Sequence, residues 1–382
     1  MGRAFVVVAD ACGAGALPDA ADYGDEGTNT LAHLAEIAGG LKVPALGALG
    51  LGSILPLRGV GEAEAPAIHG RLAAQGFGKD STAGHWELMG VVAGTPPPSY
   101  PDGFPDELVA ELERITGHET IGNRPCNGVV AIQQWGDEHL RTSALILYTS
   151  QDSVLQLAAH VDRVAPERLY AACGAVREAM VGEHAVGRVI ARPFEGPPGQ
   201  FVRTLGRRDY ALPPPAPSYL DVLRDAGQEV HGVGKVVDLF AGHGFTRHHH
   251  GEKNTIAIES TDRLLAELDE GLVFVNLIET DQVYGHRKDA EGFHRALREI
   301  DAAVARWVDV LGPDDLLVIT ADHGCDIAAE HSEHTREYAP LLATTGAGTD
   351  GHRHDGALAD VGATVTRWLG VPADGLPGAA FL

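Results

Sequence analysis

The feature that most constrains the fold is a set of continuous apolar runs, rich in β-branched residues, which lead directly into acidic segments. The three clearest runs are residues 4–9 (AFVVVA), Gly271–Leu277 (GLVFVNL) and Asp315–Thr320 (DLLVIT). A strand with one solvent-exposed face alternates apolar and polar residues, whereas a strand covered on both faces is apolar throughout. The runs therefore predict inner strands of a sheet that is covered on both sides.

Amphipathic segments lie between these strands. Residues 30–38 (TLAHLAEIA) fit a helix with Thr30 as its N-cap and Gly39 within its stop. Residues 290–311 repeat apolar side chains at a period close to 3.6, and a shorter strand is expected at 340–343. Because strands alternate with helices, we expect an α/β fold with a mainly parallel sheet and helices on both faces.

Length and proline content indicate an insertion. A chain of 382 residues suggests two domains, or one large domain that is interrupted. Proline clusters at 96–98 and 213–217 are stiff and cannot continue a helix or an inner strand. We expect a core domain in two parts, 1–95 and 218–382, around an inserted domain at 99–212. The alternative is that the clusters are two unrelated surface loops.

Composition excludes several partners. With 29 Lys and Arg against 53 Asp and Glu, the net charge is −24, which argues against nucleic acid or an anionic membrane as a partner. No apolar run approaches the length of a membrane span, and the first residues lack the long apolar core of a signal peptide. The four cysteines form no C-x-x-C pair. These observations favour a cytoplasmic protein, and none of them sets the oligomeric state.

Acidic and imidazole side chains follow the predicted strands at the sheet edge where sites form in open α/β folds. These residues are Asp10, Asp281, His286, Asp322, His323 and His334. Carboxylate and neutral imidazole suit divalent ions such as Mn, Zn or Mg. Taken singly, each residue is more simply a helix cap, a turn residue or a solvated side chain. Their convergence at one edge predicts a site for two ions.

A nucleophile candidate lies in residues 76–87 (GFGKDSTAGHWE). The glycines allow the backbone to approach a phosphate closely. We expect Ser81 at the start of a helix, where free N–H groups and the positive end of the helix dipole face an anion. A base or metal must activate the hydroxyl before it attacks. Two alternatives stay open: Ser81 is only an N-cap, or Thr82 is the nucleophile.

Several motifs resemble those of phosphopentomutases, which belong to the alkaline phosphatase superfamily. They include GKDSTAGHWELMG at 78–90, YTSQDSVLQLAAH at 148–160, RVIARPF at 188–194 and TADHGCD at 320–326. The matches run in order over nearly the whole chain. The resemblance implies an alkaline-phosphatase-like core with an inserted, smaller α/β cap domain. It also implies a phosphorylated hydroxyl at Ser81, where the family has Thr.

The same resemblance assigns ligands and substrate contacts. One Mn ion would be bound by Asp281, His286 and His334. The other would be bound by Asp10, Asp322 and His323. Substrate contacts would be Ser150, Val154, Arg188, Ile190, Arg203 and Lys235. The three basic residues suit a phosphate, although in an acidic protein such residues are otherwise explained as surface ion pairs.

The implied activity is interconversion of ribose 1-phosphate and ribose 5-phosphate, with the 2-deoxyribose pair, in nucleoside salvage. It would proceed through a phosphoserine and a bisphosphate, with activation by a sugar bisphosphate such as glucose 1,6-bisphosphate. One alternative is a two-metal phosphatase or phosphodiesterase of the same superfamily, and another is an acidic divalent-ion binding protein. The chain departs from the family pattern at Ala11 and at residues 126–129. The triple histidine at 248–250 is interpreted as a solvated loop and not as a third metal site.

Overall fold

The computed structural model describes residues 2–95, 97–150 and 153–382. Pro96, in the first proline cluster, and Gln151 and Asp152, in the YTSQDSV motif, lie outside the described residues. The chain divides into two compact units. We call Met1–Thr95 with Pro214–Leu382 the core unit, and Pro96–Pro213 the inserted unit.

Strands and helices alternate along most of the chain. In chain order the strands are β1 (Arg3–Ala9), β2 (Ile68–Ala73), β3 (Thr120–Pro125), β4 (Leu145–Thr149), β5 (Val154–His160), β6 (Arg188–Glu195), β7 (Val202–Arg203), β8 (Arg208–Ala211), β9 (Val230–Val233), β10 (Arg247–His249), β11 (Gly271–Leu277), β12 (Asp315–Thr320), β13 (Ala339–Thr345) and β14 (Gly356–Ala357). The helices are α1 (Thr30–Ile37), α2 (Pro44–Leu49), α3 (Leu51–Ile54), α4 (Ser81–Leu88), α5 (Asp106–Thr116), α6 (Gly128–Thr142), α7 (Pro166–Ala179), α8 (Tyr219–Asp225), α9 (Val236–Leu239), α10 (Asn254–Glu267), α11 (Ala290–Val310) and α12 (Asp360–Trp368).

The core unit contains a sheet with the strand order β10-β9-β11-β1-β12-β13-β2-β14. Neighbouring strands from β10 to β12 are parallel, and β13 is antiparallel to both of its neighbours. β1 lies between β11 and β12, where Ala9 pairs with Leu277 and Val8 pairs with Thr320. Because these strands are parallel and in register, their carboxyl ends meet at one edge of the sheet. The predicted mainly parallel α/β fold is confirmed.

The predicted helices are present, with one correction at a cap. α11 buries Phe293, Ile300 and Trp307 on one face, as its 3.6-residue period predicts. α1 is capped by Asn29 and not by Thr30, since the Asn29 side chain accepts a hydrogen bond from the backbone N–H of Ala32. The prediction was wrong by one residue because Asn and Thr are both good caps. The Thr30 hydroxyl instead makes a tertiary hydrogen bond.

The inserted unit has its own sheet, in the order β3-β4-β5-β6-β7, with β8 also paired to β6. β3 is parallel to β4 and β5 is parallel to β6, whereas β4 and β5 are antiparallel. One face of this sheet buries a cluster around Leu147, Leu157 and Leu169. The other buries Trp135 and Phe194 with their neighbours. The unit therefore has a core of its own, and its role as a cap stays a prediction.

The sequence indicated a solvated loop at the triple histidine, but its first two residues lie in a strand. Arg247–His249 forms β10, a short strand at the edge of the core sheet that pairs in parallel with β9. The prediction failed because three consecutive polar residues do not follow strand alternation, and β9 supplies the pairing. Among the described residues, no helix is both long and apolar enough to cross a membrane.

Candidate active site

Three carboxylates lie at the carboxyl edge of the core sheet. Asp10 directly follows β1, and Asp322 lies two residues beyond β12. Asp281 lies in a π-helical turn, Thr280–Gly285, that follows β11. Such turns are rare and occur frequently at functional sites. All three aspartates are buried, so their charges need nearby partners.

The first predicted ligand group is assembled around Asp281. Its Oδ1 lies 3.5 Å from His286 Nε2 and 3.2 Å from His334 Nε2. His286 donates through Nδ1 to the backbone carbonyl of Ser332 at 2.7 Å, so its Nε2 lone pair is available for a metal. A hydrogen bond from the second ring nitrogen commonly fixes the tautomer of a ligating histidine. These three residues present ligand atoms close enough to hold one ion.

The second group is assembled around His323. Its Nε2 lies 3.6 Å from Asp10 Oδ1 and 3.3 Å from Asp322 Oδ2, while its Nδ1 donates to the carbonyl of Gly324 at 3.0 Å. Asp10, Asp281 and His323 also form a possible ligand set, with atoms within 4.8 Å of one another. The rings of His323 and His334 stack at 3.9 Å between centroids. The two groups are therefore contiguous.

Four ligand atoms of this cluster are buried without a hydrogen-bond partner within the described residues. They are Asp10 Oδ1, Asp281 Oδ1, Asp322 Oδ2 and His334 Nε2. Buried polar atoms are normally paired, because an unpaired one costs about 1–3 kcal/mol. Burial and the neighbouring Asp322 raise the pKa of Asp10 well above its usual value. Divalent cations would satisfy the orphaned atoms and relieve the repulsion, so the donor set fits the predicted ions.

The other pKa shifts favour the ligand form of His323 and Asp281 but not of His334. Burial lowers the pKa of His323 to about 4, so its imidazole is neutral. Burial would raise the pKa of Asp281, but the His334 imidazole, 3.2 Å away, and the nearby His323 hold that pKa at about 2. Burial would lower the pKa of His334, but its contact with Asp281 and the charges of Asp281, Asp10 and Asp322 together raise it. A bound metal would compete with that proton.

Ser81 is the first residue of α4, as predicted, and it faces this cluster. The N-cap is Asp80, whose side chain accepts from the backbone N–H groups of Thr82 and Ala83 at 2.9 and 3.1 Å. The interpretation of Ser81 as an N-cap is therefore wrong. Its Oγ lies 2.8 Å from Lys235 Nζ and 3.1 Å from His323 Nε2. This contact with the cluster favours Ser81 over Thr82 as the nucleophile.

Lys235, which follows β9, links the Ser81 hydroxyl to a carboxylate. Its Nζ lies 2.5 Å from Asp10 Oδ2 and donates a hydrogen bond to Ser81 Oγ. Burial opposes its charge, but the nearby carboxylates, first among them Asp10, raise its pKa, so the side chain stays protonated. The sequence indicated Lys235 only as a substrate contact. Here it is a fixed cation beside the hydroxyl.

Two residues that support the site were missed. His85 Nδ1 lies 2.8 Å from the Ser81 carbonyl and 3.0 Å from Asp322 Oδ2, and the Asn276 amide donates to Asp10 Oδ2 at 2.9 Å. Asn276 Nδ2 also lies 3.2 Å from His85 Nε2. The signals were present, since His85 lies four residues after Ser81 on one helix face and Asn276 interrupts an apolar strand.

The other predicted contacts lie in the inserted unit. Arg188, at the start of β6, and Arg203, in β7, are exposed. Arg188 Nη1 lies 3.8 Å from Asp209 Oδ2. Val154 and Ile190 are buried in the sheet, with 4% and 3% of their surfaces exposed. Ser150 is half-buried just after β4.

Arg203 belongs to a basic group in the inserted unit whose other two members, Arg192 and Arg207, were not predicted from the sequence. The Tyr148 hydroxyl is buried without a hydrogen-bond partner among the described residues, and burial raises its pKa against the opposing charges of Arg192, Arg203 and Arg207. Arg192 falls inside the quoted motif RVIARPF, but nothing in the spacing of that motif connects it to Tyr148 or Arg207. These three arginines carry positive charge beside an unpaired hydroxyl.

Comparison with known proteins agrees with this architecture. A family model described as the metalloenzyme superfamily matches residues 2–373. A phosphopentomutase of Anaeromyxobacter dehalogenans is 47% identical over 385 residues, covering 100% of this chain and 98% of that protein. A phosphopentomutase of Carboxydothermus hydrogenoformans is 47% identical over 343 residues, covering 90% of this chain and 88% of that protein.

Solved structures share the fold at much lower identity. Phosphoglycerate mutase of Leishmania mexicana has a TM-score of 0.51 at 13% identity, with 99% of this chain and 97% of that chain covered. The PH0037 protein of Pyrococcus horikoshii has a TM-score of 0.50 at 13% identity, with 99% of both chains covered. At this identity they show the fold alone, and the expected alkaline-phosphatase-like fold is confirmed. The full-length relatives confirm the resemblance inferred from the motifs. The chain belongs to the phosphopentomutases, a family of phosphotransferase isomerases within the metalloenzyme superfamily.

Proposed function

We propose that this chain interconverts ribose 1-phosphate and ribose 5-phosphate, together with the 2-deoxyribose pair, through a phosphoserine at Ser81. The observation that carries the proposal is the position of the Ser81 hydroxyl, 2.8 Å from Lys235 Nζ and 3.1 Å from His323 Nε2. A serine hydroxyl beside a fixed cation and a set of unsatisfied ligand atoms suits phosphoryl transfer, which depends on positioning and charge stabilisation. The relatives named as phosphopentomutases support the choice of substrate.

The phosphoryl group leaves Ser81 for the free hydroxyl of the sugar monophosphate and forms a sugar bisphosphate. The P–Oγ bond breaks, and a bond from phosphorus to the sugar oxygen forms. The second phosphoryl group then returns to Ser81 as its bond to the sugar breaks. Lys235 stabilises charge on Oγ when this atom is the leaving group, and the positive end of the α4 dipole favours negative charge beside Ser81.

Two divalent ions, most simply Mn, would be held by Asp281, His286 and His334 and by Asp10, Asp322 and His323. Bound there, they would neutralise charge on the transferring phosphoryl group and favour the ionised serine. His85 and Asn276 hold Ser81, Asp322 and Asp10 in their mutual positions. A sugar bisphosphate such as glucose 1,6-bisphosphate would load Ser81 for the first turnover.

We further propose that the inserted unit acts as a cap and contributes Ser150, Val154, Arg188, Ile190 and Arg203 to substrate binding. The two arginines are exposed, so their guanidinium groups are accessible to a phosphate. Val154 and Ile190 are buried and would contribute by positioning the exposed residues beside them in the sheet. A closed cap would exclude water, which otherwise hydrolyses the phosphoserine.

The proposal is tested by supplying ribose 5-phosphate with Mn²⁺ and a trace of glucose 1,6-bisphosphate, and by following ribose 1-phosphate and free phosphate together. Wild-type protein should form the isomer with little free phosphate. Ser81→Ala should lose at least about 10³-fold in turnover but keep Mn²⁺-induced thermal stabilisation. Asp281→Asn should lose that stabilisation, while His248→Ala, remote from the site, should match wild type. Free phosphate without isomer would refute the mutase and favour the two-metal hydrolase.

A further inference from the structure

The edge of the core sheet carries a histidine pair that the proposed reaction does not use. His231 lies in β9 and His249 in β10, on the same face of the two strands, because His231 pairs in register with Arg247, two residues before His249. His231 Nδ1 and His249 Nε2 are 3.2 Å apart. Two nitrogens that bind one tetrahedral ion at 2.0–2.1 Å are separated by about 3.3 Å. The spacing of the pair is that of two ligands of one metal.

A carboxylate fixes the tautomer of the first histidine. Glu229 Oε2 lies 3.2 Å from His231 Nε2, and it also accepts from the Thr246 hydroxyl at 2.9 Å. A carboxylate only accepts, so the His231 proton is on Nε2 and its Nδ1 presents a lone pair to His249. This carboxylate–imidazole arrangement orients ligating histidines in metal sites. If the ring proton of His249 moves from Nε2 to Nδ1, then His231 Nδ1 and His249 Nε2, which face each other, both have a lone pair for an ion.

The surroundings admit a cation. The pair lines a cavity of about 490 Å³, beside Glu229, Glu267, Asp269 and Glu270. Arg247 and Arg263 line it too, and Arg247 lies 3.6 Å from Glu229. Four carboxylates against two guanidinium groups leave the cavity negative. Burial lowers the pKa of His249 to about 4 and also lowers that of His231, so neither imidazole holds a competing proton at neutral pH.

We propose that His231 and His249 form a metal site separate from the active site, which takes a borderline divalent transition ion such as Zn²⁺, Ni²⁺ or Cu²⁺. Water or a cavity carboxylate completes the coordination. Imidazole ligands select these ions over Mn²⁺, which binds most weakly in the first-row series. His231 pairs with Val273 of β11, and Ala9, the residue before Asp10, pairs with Leu277 of the same strand. Asp10 therefore lies five residues further along the strand direction than His231. The two sites are thus about 16 Å apart along the strands, at 3.3 Å per residue.

The test uses Zn²⁺ itself. Crystals of the Mn²⁺-loaded protein are soaked in Zn²⁺, and anomalous difference density is measured on both sides of the zinc edge. A zinc peak between His231 and His249 is expected. Its absence, while zinc occupies the active site, would overturn the proposal.

A solution experiment separates the two sites independently. Equilibrium dialysis counts Zn²⁺ bound by wild type, His249→Ala and His248→Ala. His248 is the matched control, because it is the adjacent residue of the same strand and points to the opposite face. His249→Ala should bind one equivalent fewer than the other two proteins, and equal stoichiometry in all three would overturn the proposal. Glu229→Gln should weaken this site 10- to 100-fold, and an unchanged affinity would remove the orienting role of Glu229.

Discussion

The Thr30 hydroxyl links the first helix to the loop that carries Asp322 and His323. It donates to Glu337 Oε1 at 2.7 Å and accepts from the backbone N–H of Cys325 at 3.0 Å, and the residue has no exposed surface. Thr30→Val keeps the shape of the side chain but removes both hydrogen bonds. Thr30→Ser keeps both and removes only a methyl group. The pair of variants therefore isolates the hydroxyl.

The magnitude follows from the partners. A hydrogen bond to a charged group contributes about 1.5–3 kcal/mol, and a buried N–H left unpaired costs about 1–3 kcal/mol. The added methyl group of valine returns about 1 kcal/mol, so Thr30→Val should lose about 2–5 kcal/mol in the free energy of unfolding. Thr30→Ser should lose about 1 kcal/mol. In a unit of this size, a stability difference of 1 kcal/mol shifts the melting temperature by about 2–4 °C, so the two variants should differ by several degrees.

Scanning fluorimetry and urea unfolding measure both variants, and dialysis against Mn²⁺ measures the consequence for the site. Trp86, Trp307 and Trp368 report on the core unit in fluorescence. Thr30→Val should also bind Mn²⁺ more weakly than Thr30→Ser, because the Cys325 backbone no longer anchors the loop. If the two variants unfold within about 0.5 kcal/mol of each other, the hydroxyl does not anchor this loop and the reasoning fails.

Three further predictions follow from buried groups elsewhere. Arg3→Met breaks a part-buried pair with a carboxylate of β12 and should cost about 1.5–3 kcal/mol in urea unfolding, whereas Arg306→Met, at an exposed pair, should cost under about 1 kcal/mol. Burial raises the folded-state pKa of Glu87, so wild-type stability should fall as pH rises from about 4.5 through that pKa, and Glu87→Gln should lack this fall; parallel slopes would contradict it. Cys12, Cys173 and Cys325 are buried, so a thiol reagent should modify only Cys126 in the native protein and all four thiols in urea. A second thiol that reacts fast in the native protein would contradict the burial of these three.

The central strands β1, β11 and β12 could be predicted from the sequence, whereas β2 and the full length of β13, nearer one end of the sheet, could not. β1, β11 and β12 are buried on both faces, so burial alone requires the apolar runs that identify them. β2 reads IHGRLA, and no alternation marks it as a strand. It exists because β13 pairs with it, and β13 itself extends past the predicted residues because Thr344 and Thr345 pair with β12. Pairing partners decide such strands, and local sequence does not encode them.

The candidate site divides in the same way. Asp10 and Asp322 could be predicted together, because each follows an inner strand and neighbouring parallel strands end at one edge. The contacts of His85 with Asp322 and of Lys235 with Ser81 depend on how α4 and α9 pack at that edge. Side-chain packing of this kind has no period in the sequence. Only the resemblance to a family indicated Lys235, and it assigned the residue to the substrate.

Charge indicates that the proposed ions would serve substrate binding as well as the chemical step. The whole chain is strongly acidic, and the bare site adds three buried carboxylates, those of Asp10, Asp281 and Asp322, against the single ammonium of Lys235. Such a site repels a phosphate dianion, and its carboxylates also repel one another. Burial, and after it the charge of Asp322, raises the pKa of Asp10. Two divalent ions would reverse the sign of the local charge. At physiological ionic strength, salt screens the charges of the distant acidic surface beyond about 8 Å. The reversed charge within the site therefore governs the attraction of the substrate. The residues that look least suited to an anionic substrate are thus the ones that, through their ions, would attract it.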